Sequence, residues 1–420
     1  MAVYDLVVIG ATGFVGRLVT RYLISHPEKP SFAFAGRKLQ RLEALRTEFG
    51  LGESVGLIEV NTRDPASVQR VVDQARVIVN LAGPYHAYGA AGVIKACAES
   101  ERGVGYVDLT GESFFYRDIL KYHDVAKKNG SIIVPSAGFD SVPFDLSVYL
   151  GVQALKKALG GQTPSALEAT MAWKTRGGIS KGTICSLCDI AEFAPQTLPP
   201  SPADILSPIK GGRSNNPLGT LSDPALGRGA GMASPFLPHN GRIILRSAGL
   251  LEKDDPSKAY GKAAKFRYNE CLVAPYAFVA YIASFFLQFS VLLLRLPVGR
   301  WVVRNLIPDN SGPSEKSMQQ GFFHAKTVVR AQQPRTGSKA PSSAAVPTKG
   351  VRVTCKFQGD PGYSVTAKMI VELALLVAEK EKLPAAGRAG GVLTAAALGG
   401  DLVAERFEKY AGFEFTTEEV

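Results

Sequence analysis

The stretch Tyr4–Arg21, YDLVVIGATGFVGRLVTR, decides the fold of this chain. Within it, Leu6–Ile9 is a continuous apolar run, which is typical of a strand buried on both faces of a parallel sheet. From Phe14 onward, the apolar residues recur at helical spacing. A short glycine-rich segment separates the two patterns. The stretch therefore predicts a strand, a tight turn and a helix, which together open a βαβ unit.

The three glycines of this turn have separate uses. Gly10 permits the tight turn, Gly13 lets the backbone approach a pyrophosphate, and Gly16 lets the helix pack closely on the strand. The helix N-terminus adds free N–H groups and a partial positive charge. A purely structural glycine turn is the alternative. We expect dinucleotide binding by the whole turn, which comprises Gly10, Ala11, Thr12, Gly13, Phe14, Val15 and Gly16.

Strand and helix patterns alternate through the first 150 residues. After the opening strand, five further strand-like runs are predicted, namely Ser31–Ala35, Val55–Val60, Arg76–Leu81, Tyr106–Leu109 and Ile132–Val134. Because helical patterns separate them, these runs predict an α/β fold with a Rossmann-type doubly wound parallel sheet. We assign this dinucleotide-binding domain to residues 1–146.

The end of the second predicted strand indicates which dinucleotide binds. Enzymes that prefer NAD keep an acidic residue there for the ribose 2′-hydroxyl. This strand instead runs into Arg37 and Lys38, without a carboxylate. An arginine at this point can pair with a 2′-phosphate. The sequence therefore favours NADP(H), and a solvated charged turn is the alternative reading.

Other cofactor contacts are expected where the strands end, because open α/β sheets bind ligands at their carboxyl edge. Asn61 follows the third strand, on the adenine side. Asp64 follows it as well, although it is equally suited to cap the next helix. The exits of the fourth and sixth strands supply the remaining expected contacts, which are Ala82, Gly83, Pro84 and Gly138.

The remaining residues, 147–420, predict an α+β domain of the substrate-binding or dimerisation type. Strand-like runs separated by irregular sequence indicate a mainly antiparallel sheet. Pro195–Gly241 is rich in Pro and Gly and predicts a long loop, and residues 332–350 predict a mobile surface loop. The predicted strands of this domain are Leu167–Trp173, Arg242–Arg246, Ala325–Val329 and Val351–Phe357.

An apolar segment, residues 271–307, predicts association with a membrane. Ala274–Leu294 carries no charge and is long enough to cross a hydrocarbon core of about 30 Å as a helix. A single crossing would separate later strands of the sheet from earlier ones. A re-entrant or surface-lying segment avoids this conflict. We expect a monotopic attachment facing the cytosol, at a lipid droplet or the endoplasmic reticulum, with a buried core helix as the alternative.

The composition limits which other binding partners are expected. The 420 residues carry a net charge of +11, and residues 151–350 alone carry +13. No nucleic-acid recognition module is visible, and an anionic lipid surface suits this charge better. The five cysteines form no disulfide framework, and the single pair Cys185 and Cys188 cannot complete a four-ligand zinc site. We therefore expect neither a metal nor a nucleic acid, while a homodimer stays open.

Several longer motifs carry a family resemblance across the chain. They are NLAGPY (80–85), YVDLTGE (106–112), AGFDSVPFDL (137–146), GDPGY (359–363) and GGVLTAAALG (390–399). With them the chain resembles the saccharopine dehydrogenase-like oxidoreductases. The resemblance implies kinship with bacterial trans-acting enoyl reductases, which work on lipid chains, and with animal and plant members associated with lipid droplets or membranes. Saccharopine itself is not implied as the substrate.

The proton donor is the least determined part of the predicted site. Of the acidic, aromatic and histidine side chains near the expected nicotinamide, we favour Tyr85, Asp108 and Asp140 over His86, Tyr88 and Glu112. Tyr85 follows the fourth strand directly, but it is equally suited to line the site. Asp108 also suits a helix cap and Asp140 a turn.

The expected function is an NADP(H)-dependent reduction of a C=C or C=O bond in a lipid-linked or apolar small molecule. A non-catalytic NADP(H)-binding scaffold on a membrane or lipid droplet is one alternative. A saccharopine-type amino-acid dehydrogenase is the other.

Overall fold

The computed structural model describes residues 3–178, 180–197, 203–306, 312–332 and 349–420, apart from the side chains of 194–197. Its first sheet has seven strands, all parallel, in the order β14-β6-β5-β4-β1-β2-β3. The strands are β1 Tyr4–Ile9, β2 Phe32–Gly36, β3 Gly56–Glu59, β4 Ala75–Asn80, β5 Gly105–Asp108, β6 Ile132–Val134 and β14 Gly391–Val392. The helices between them are α1 Phe14–Ser25, α2 Leu39–Glu48, α3 Pro65–Val72, α4 Ala90–Glu99, α5 Ser113–Ile119 and α6 His123–Asn129.

The predicted doubly wound sheet is thus confirmed. Leu6, Val7 and Val8 are fully buried because β1 lies at the centre of the sheet, between β2 and β4. Their continuous apolar character follows from having helices on both faces. The register pairs Ile9 with Ala35 on one side and with Asn80 on the other. The ends of β1, β2 and β4 therefore lie side by side at one edge.

The seventh strand comes from the far end of the chain. Gly391–Val392 pairs with β6, and the late helix α13 packs on β4, β5 and α1. A two-residue strand is too short to produce a recognisable alternation, so the sequence pattern did not predict it. The division of the chain at residue 146 stays a prediction, although part of the later chain completes the first sheet.

The second sheet is mixed, in the order β15-β13-β12-β7-β11-β10-β9, with β8 also pairing with β11. Only the β7–β11 and β8–β11 pairs are parallel, so the sheet is mainly antiparallel, as predicted. Its strands are β7 Leu167–Arg176, β8 Arg213–Asn215, β9 Gly219–Thr220, β10 Ala230–Ala233, β11 Arg267–Ala274, β12 Phe322–Ala331, β13 Gly350–Gln358 and β15 Glu414–Glu419. The helices of this part are α7 Val142–Ala158, α8 Lys181–Thr197, α9 Leu237–Asp254, α10 Ala277–Arg295, α11 Pro297–Leu306, α12 Glu315–Gln319, α13 Thr366–Ala378, α14 Ala385–Arg388 and α15 Ala395–Arg406.

Two predictions for residues 195–246 were wrong. Arg242–Arg246 is not a strand, because it lies inside α9. The five-residue run looks like a strand by itself, whereas the longer window has buried apolar residues at helical spacing, such as Leu237, Ile244 and Leu251. The predicted long loop Pro195–Gly241 was also wrong, because this range contains the short strands β8, β9 and β10 and overlaps the end of α8 and the start of α9. Residues 333–348, which make up most of the predicted mobile loop, lie outside the described residues.

The apolar segment forms a helical hairpin on the second sheet. Residues 271–274 belong to β11, so the helical part begins only at Ala277. Two described helices are long and apolar enough to cross a membrane by length and composition. In one of them, Pro361–Ala378, which contains α13, 83% of the apolar window is buried inside the protein. In the other, Ala277–Arg295, which is α10, only 11% is buried. We call α10 and α11 together the apolar hairpin. After it, β12 pairs with β7 over ten residues.

Candidate cofactor and active site

The glycine turn lies at the carboxyl edge of the first sheet, between β1 and α1. Gly10 has a φ of +84°, and a Cβ there would lie 3.0 Å from the carbonyl carbon of Leu81, at the exit of β4. A Cβ at Gly16 would overlap the carbonyl oxygens of Gly10 and Ala11. The predicted uses of these two glycines, a tight turn and close packing, are therefore visible in the backbone.

The first amides of α1 have no hydrogen-bond acceptor within the helix. Arg17 N–H is the first in α1 to reach a carbonyl one turn back, that of Gly13, at 3.0 Å. The N–H groups of the preceding turn therefore have no intrahelical acceptor. Thr12 and Gly13 are exposed, and the first turn of α1 carries no acidic side chain. This arrangement fits a nucleotide diphosphate, because helix N-termini stabilise anions.

Arg37 and Lys38 follow β2, one strand away from the glycine turn. Both are exposed, and in the described part of the chain the Arg37 guanidinium makes no hydrogen bond or ion pair. Such a guanidinium is available for a 2′-phosphate. Asp64 caps α3, since its carboxylate accepts from Ala66 N–H at 3.3 Å and Ser67 N–H at 3.1 Å. Asn61 is exposed at the end of β3, and its side chain accepts from Arg63 N–H at 3.1 Å.

The segment Ala82-Gly83-Pro84 leaves β4 beside the glycine turn. Leu81 N–H donates to the carbonyl of Ile9 at 2.9 Å, so the exits of β4 and β1 are held together. Gly138, by contrast, is a packing glycine. A Cβ there would lie 2.7 Å from the Leu109 side chain and 3.0 Å from the Thr366 side chain. Its role as a cofactor contact stays a prediction.

Tyr85 is buried, and its hydroxyl is held by backbone groups. It donates to the carbonyl of Asn80 at 3.3 Å and accepts from Leu109 N–H at 3.1 Å. Burial and the nearby Asp108 raise the pKa of this phenol well above its ordinary value. The ring stacks on Phe115, with the centroids 6.2 Å apart. Tyr85 thus joins the exits of β4 and β5, and this geometry does not favour it as the proton donor.

Asp108 is completely buried at the end of β5. Its carboxylate accepts from Thr110 N–H at 2.9 Å, Ser136 N–H at 3.1 Å and Tyr106 O–H at 2.9 Å. Burial raises its pKa to about 7, against the hydrogen bonds, which lower it. Because these donors come from β5 and from the exit of β6, Asp108 ties two strand ends together. Its catalytic role stays a prediction.

Asp140 differs from these two residues in having an open carboxylate. It is half-buried, and no hydrogen-bond donor reaches the carboxylate within the described residues. Desolvation by the surrounding protein raises its pKa to about 6. One carboxylate oxygen lies 3.7 Å from the position that a Cβ on Gly111 would take. Asp140 therefore keeps the freedom that an acid or base needs.

Sequence reasoning passed over a histidine–carboxylate pair at the same edge. His86 Nδ1 lies 2.9 Å from Glu112 Oε2, and the Glu112 side chain is 1% exposed against 23% for His86. The two residues are separated by 26 positions, so no local pattern joins them. The only available signal was their placement directly after β4 and β5.

His239 was also missed, because it lies in the part of α9 that was predicted to be loop. Its Nδ1 lies 2.8 Å from Ser113 Oγ and its Nε2 lies 2.9 Å from Ser136 Oγ. Since Ser136 donates to the carbonyl of Thr110 at 2.6 Å, Nε2 must carry the proton that it shares with Ser136. Burial lowers the pKa of His239 to about 3, so the ring is neutral and fastens α9 to the exits of β5 and β6.

The GDPGY motif approaches the glycine turn from the second part of the chain. Asp360 accepts from Gly178 N–H at 2.6 Å and from Tyr363 N–H at 3.0 Å. The Tyr363 ring meets Phe14, the first residue of α1, edge-on at 5.3 Å. Its hydroxyl lies 2.6 Å from Thr183 Oγ1 on α8. The motif therefore holds the start of α8 beside the expected diphosphate.

Among the described residues, no three His, Cys, Asp or Glu side chains lie close enough together to bind a metal ion. The edge offers instead backbone amides, an unpaired arginine and a few titratable side chains. That donor set suits a phosphate-bearing dinucleotide. Hydride transfer also needs a nearby acid or base, for which Asp140 and His86 are available.

Comparison with known proteins agrees with this reading. Residues 6–134 match the model of the saccharopine dehydrogenase NADP binding domain. Over its whole length, the chain is similar to saccharopine dehydrogenase (L-Glu forming) from Saccharomyces cerevisiae, with a TM-score of 0.50 and 12% identity, covering 99% of this chain and 100% of that one. At this identity, the likeness concerns the fold alone.

Curated relatives match nearly end to end. A Mycobacterium tuberculosis protein whose name classes it with trans-acting enoyl reductases is 32% identical over 434 residues, covering 96% of this chain and 95% of its own. The trans-acting enoyl reductase of Mycobacterium ulcerans is 30% identical over 433 residues, with the same coverage. That of Mycobacterium bovis is 27% identical over 432 residues.

Proposed function

This chain belongs to the saccharopine dehydrogenase-like oxidoreductases that include trans-acting enoyl reductases, it uses NADP(H), and from this premise we propose its substrate and its place of action. The substrate is a lipid-linked or otherwise apolar molecule that carries an α,β-unsaturated acyl group. The protein reduces the C=C bond of this group while attached to a lipid surface. Bound NADPH supplies the hydride for this reduction, and the chain supplies binding, orientation and the proton.

The observation that carries the proposal is the exposed face of the apolar hairpin. Ser284 and Ala280 pack α10 on β10, where Ser284 Oγ accepts from Ala233 N–H at 2.9 Å. The opposite face of α10 is exposed, and exposed apolar side chains occur on α11 as well. The exposed large apolar side chains of this region are Tyr276, Phe278, Tyr281, Ile282, Phe285, Phe286, Phe289, Val291, Leu292, Leu293, Leu296, Val298, Trp301 and Leu306. Apolar patches of this size mark membrane or protein contacts.

A lipid surface is the occupant that we propose, for two reasons. Arg295 lies at the end of α10 and Trp301 follows on the exposed face of α11, a combination of basic and aromatic residues that is typical of a membrane interface. The net charge of +13 in residues 151–350 adds attraction to anionic head groups. A helical hairpin that packs on the protein along one side and exposes apolar side chains on the other suits a bilayer leaflet or the monolayer of a lipid droplet.

The pairing of β12 with β7 supports attachment from one side only, because both ends of the hairpin return to the same sheet. On this view the rest of the chain faces the cytosol, on a lipid droplet or the endoplasmic reticulum. The name that the curated relatives share, enoyl reductase, supports C=C over C=O reduction. No observation favours a non-catalytic scaffold or a saccharopine-type dehydrogenase.

The test is NADPH oxidation by the full chain with trans-2-alkenoyl thioesters of increasing acyl length, with and without anionic phospholipid vesicles. We expect the rate to rise with chain length and with vesicles, and the saturated thioester of each length to be inert. A rate independent of both variables would contradict an apolar substrate at a lipid surface. Light scattering without lipid measures whether the same face instead joins two copies into a homodimer.

A further inference from the structure

We propose that His86, oriented by Glu112, donates the proton that completes the reduction. The inference rests on the proposed reductase function and adds the identity of its acid. The imidazolium gives the proton on Nε2 to the carbon next to the one that receives the hydride. The ring is then neutral, keeps its Nδ1–H bond to Glu112, and regains a proton from water.

The buried carboxylate fixes the ring. Besides the 2.9 Å contact with Nδ1, Glu112 accepts the backbone N–H groups of Tyr85 and His86, each at 3.4 Å. The Glu112 amide is in turn held by Thr110 Oγ1 at 3.2 Å. The carboxylate thus points into the protein and the ring lies nearer its surface. Nε2 makes no hydrogen bond within the described residues, so the reactive nitrogen is the open one.

Two aromatic rings restrict the imidazole further. Phe114 of α5 and Phe193 of α8 meet it at 5.2 Å and 5.0 Å, with interplanar angles of 69° and 63°. The two phenyl rings are 6.1 Å from each other, so they pack as a pair against one side of the imidazole. This packing and the hydrogen bond at Nδ1 together restrict the direction of the second nitrogen. Such a fixed orientation is what general acid catalysis requires, because proton transfer needs contact distance.

The position in the sheet agrees with this role. His86 follows β4, which lies next to β1, and the exits of these two strands are bonded to each other. Dinucleotides bind across this junction, and the nicotinamide then extends beyond β4 towards β5. Glu112 follows β5. The pair therefore lies on the nicotinamide side, whereas Arg37 lies on the opposite side of the glycine turn.

The other acids at this edge are less suited. Tyr85 and Asp108 have their polar atoms held by backbone and side-chain partners, as described above. Asp140 is open, but no buried partner orients its carboxylate. The histidine pair combines orientation with access. It also places a negative charge where an imidazolium forms, the arrangement that assists a histidine acid in general.

The first arm of the test needs no substrate. Diethyl pyrocarbonate modifies the unprotonated nitrogen of accessible histidines, and peptide mass spectrometry gives the rate at each one. We expect saturating NADP⁺ to slow modification of His86 by about tenfold or more. Adenosine 2′,5′-bisphosphate, which lacks the nicotinamide, should leave the rate unchanged. His324, exposed on β12, is the internal control.

Calorimetry on the same samples separates the two ways of failing. Bound NADP⁺ without protection of His86 overturns the inference and leaves the proposed function standing. Absence of NADP⁺ binding overturns both. Protection by the bisphosphate alone would place His86 on the adenosine side and also overturn the inference.

The second arm measures turnover with trans-2-alkenoyl thioesters. His86→Gln should lower kcat by about 10²–10⁴-fold with little change in NADPH affinity, and His324→Gln should be neutral. A larger loss in Asp140→Asn than in His86→Gln would assign the proton to Asp140 and overturn the inference.

Glu112→Gln tests the positioning role through the pH profile. Among the described residues, Glu112 is the charged group in contact with the ring, and the Arg63 guanidinium donates to the carbonyl of the following residue, Ala87, at 2.8 Å. The α5 and α8 helices present phenyl rings to the imidazole. Removing the carboxylate charge destabilises the imidazolium, so the alkaline fall of kcat should begin at lower pH. An unchanged profile would overturn the role of Glu112.

Discussion

The fold exposes two distinct surfaces, the carboxyl edge of the first sheet and the apolar hairpin on the second sheet. Polar groups line the first surface and apolar groups line the second. Backbone amides, an unpaired arginine and oriented titratable side chains line the edge. Phenyl, indole and aliphatic groups line the hairpin. The first can bind an anion with directional hydrogen bonds, and the second can only exclude water. A protein with both suits a polar cofactor and an apolar substrate.

Helix α8 joins the two regions. Its start is held by Tyr363 beside the glycine turn, and Phe193 reaches the His86 ring. In the same part of α8, Glu192 pairs with Arg300 of α11 at 3.2 Å, and Asp189 pairs with Arg304. The two surfaces therefore share one helix, and the predictions below test how separable they are.

The largest effect is expected on the hairpin. Phe285, Phe286 and Trp301 are 66%, 59% and 67% exposed. Replacing all three by serine removes apolar area worth about 1.5 kcal/mol or more per side chain, so vesicle affinity should fall by about a thousandfold. Vesicle flotation measures this, and NADPH affinity should stay unchanged. Ile24→Ser, an exposed site on α1, is the matched control, and undiminished flotation of the triple variant would refute the lipid contact.

The next effect concerns the pH dependence of stability at the sheet edge. Because burial raises the pKa of Asp108 to about 7, the folded protein keeps a proton that the unfolded chain releases from about pH 4 upward. The free energy of unfolding therefore falls as pH rises from about 4 to about 7. Asp108→Asn should remove the contribution of this group to the pH dependence, a change in the free energy of unfolding on the order of 4 kcal/mol across the window.

Urea denaturation at a series of pH values measures that difference. Asp118→Asn, at an exposed site on α5, serves as the control and should keep the wild-type slope. An identical slope in Asp108→Asn would show that Asp108 is not the group that titrates.

Arg37→Ala should weaken NADPH binding by about 1.5–3 kcal/mol and leave NADH binding unchanged, because only NADPH carries the 2′-phosphate. Calorimetry with both cofactors gives the comparison. Arg41→Ala, one turn further along in α2 and also exposed, controls for the loss of positive charge. Equal losses for NADPH and NADH would remove the argument for the 2′-phosphate.

The smallest effect is expected at the contact between α8 and the hairpin. Arg304→Gln leaves the buried Asp189 without its guanidinium and should lower the free energy of unfolding by about 1 kcal/mol. Arg295→Gln, whose charge has no side-chain partner in the described chain, should be neutral. Equal values for the two variants in urea denaturation would show that this ion pair does not join the regions.

Short sequence windows predicted the structural features that depend only on neighbouring residues. The glycine turn, the six early strands and Arg37 lie within short windows whose spacing directly reflects backbone geometry. The exposure of α10 could not be predicted in this way, since a uniformly apolar run fits a buried helix equally well. Its 11% burial depends on what the rest of the fold packs against it.

The site residues that were missed are brought together over long separations. His239 reaches Ser113 and Ser136 across more than a hundred positions, from a helix that the short window hid. The pairing of His86 with Glu112 depends on β4 and β5 being neighbours, which the strand pattern implied, and on side-chain orientations, which it did not. Asp64 is the opposite example, because the adjacent Asp64 and Pro65 already indicated a helix cap in the sequence.

The most direct measurement is a crystal structure of the full chain with NADP⁺. We predict that the diphosphate accepts hydrogen bonds from the amides after Gly13, that the 2′-phosphate contacts Arg37, and that the nicotinamide lies against His86. A nucleotide bound elsewhere, or one whose diphosphate is held away from the turn between β1 and α1, would contradict it.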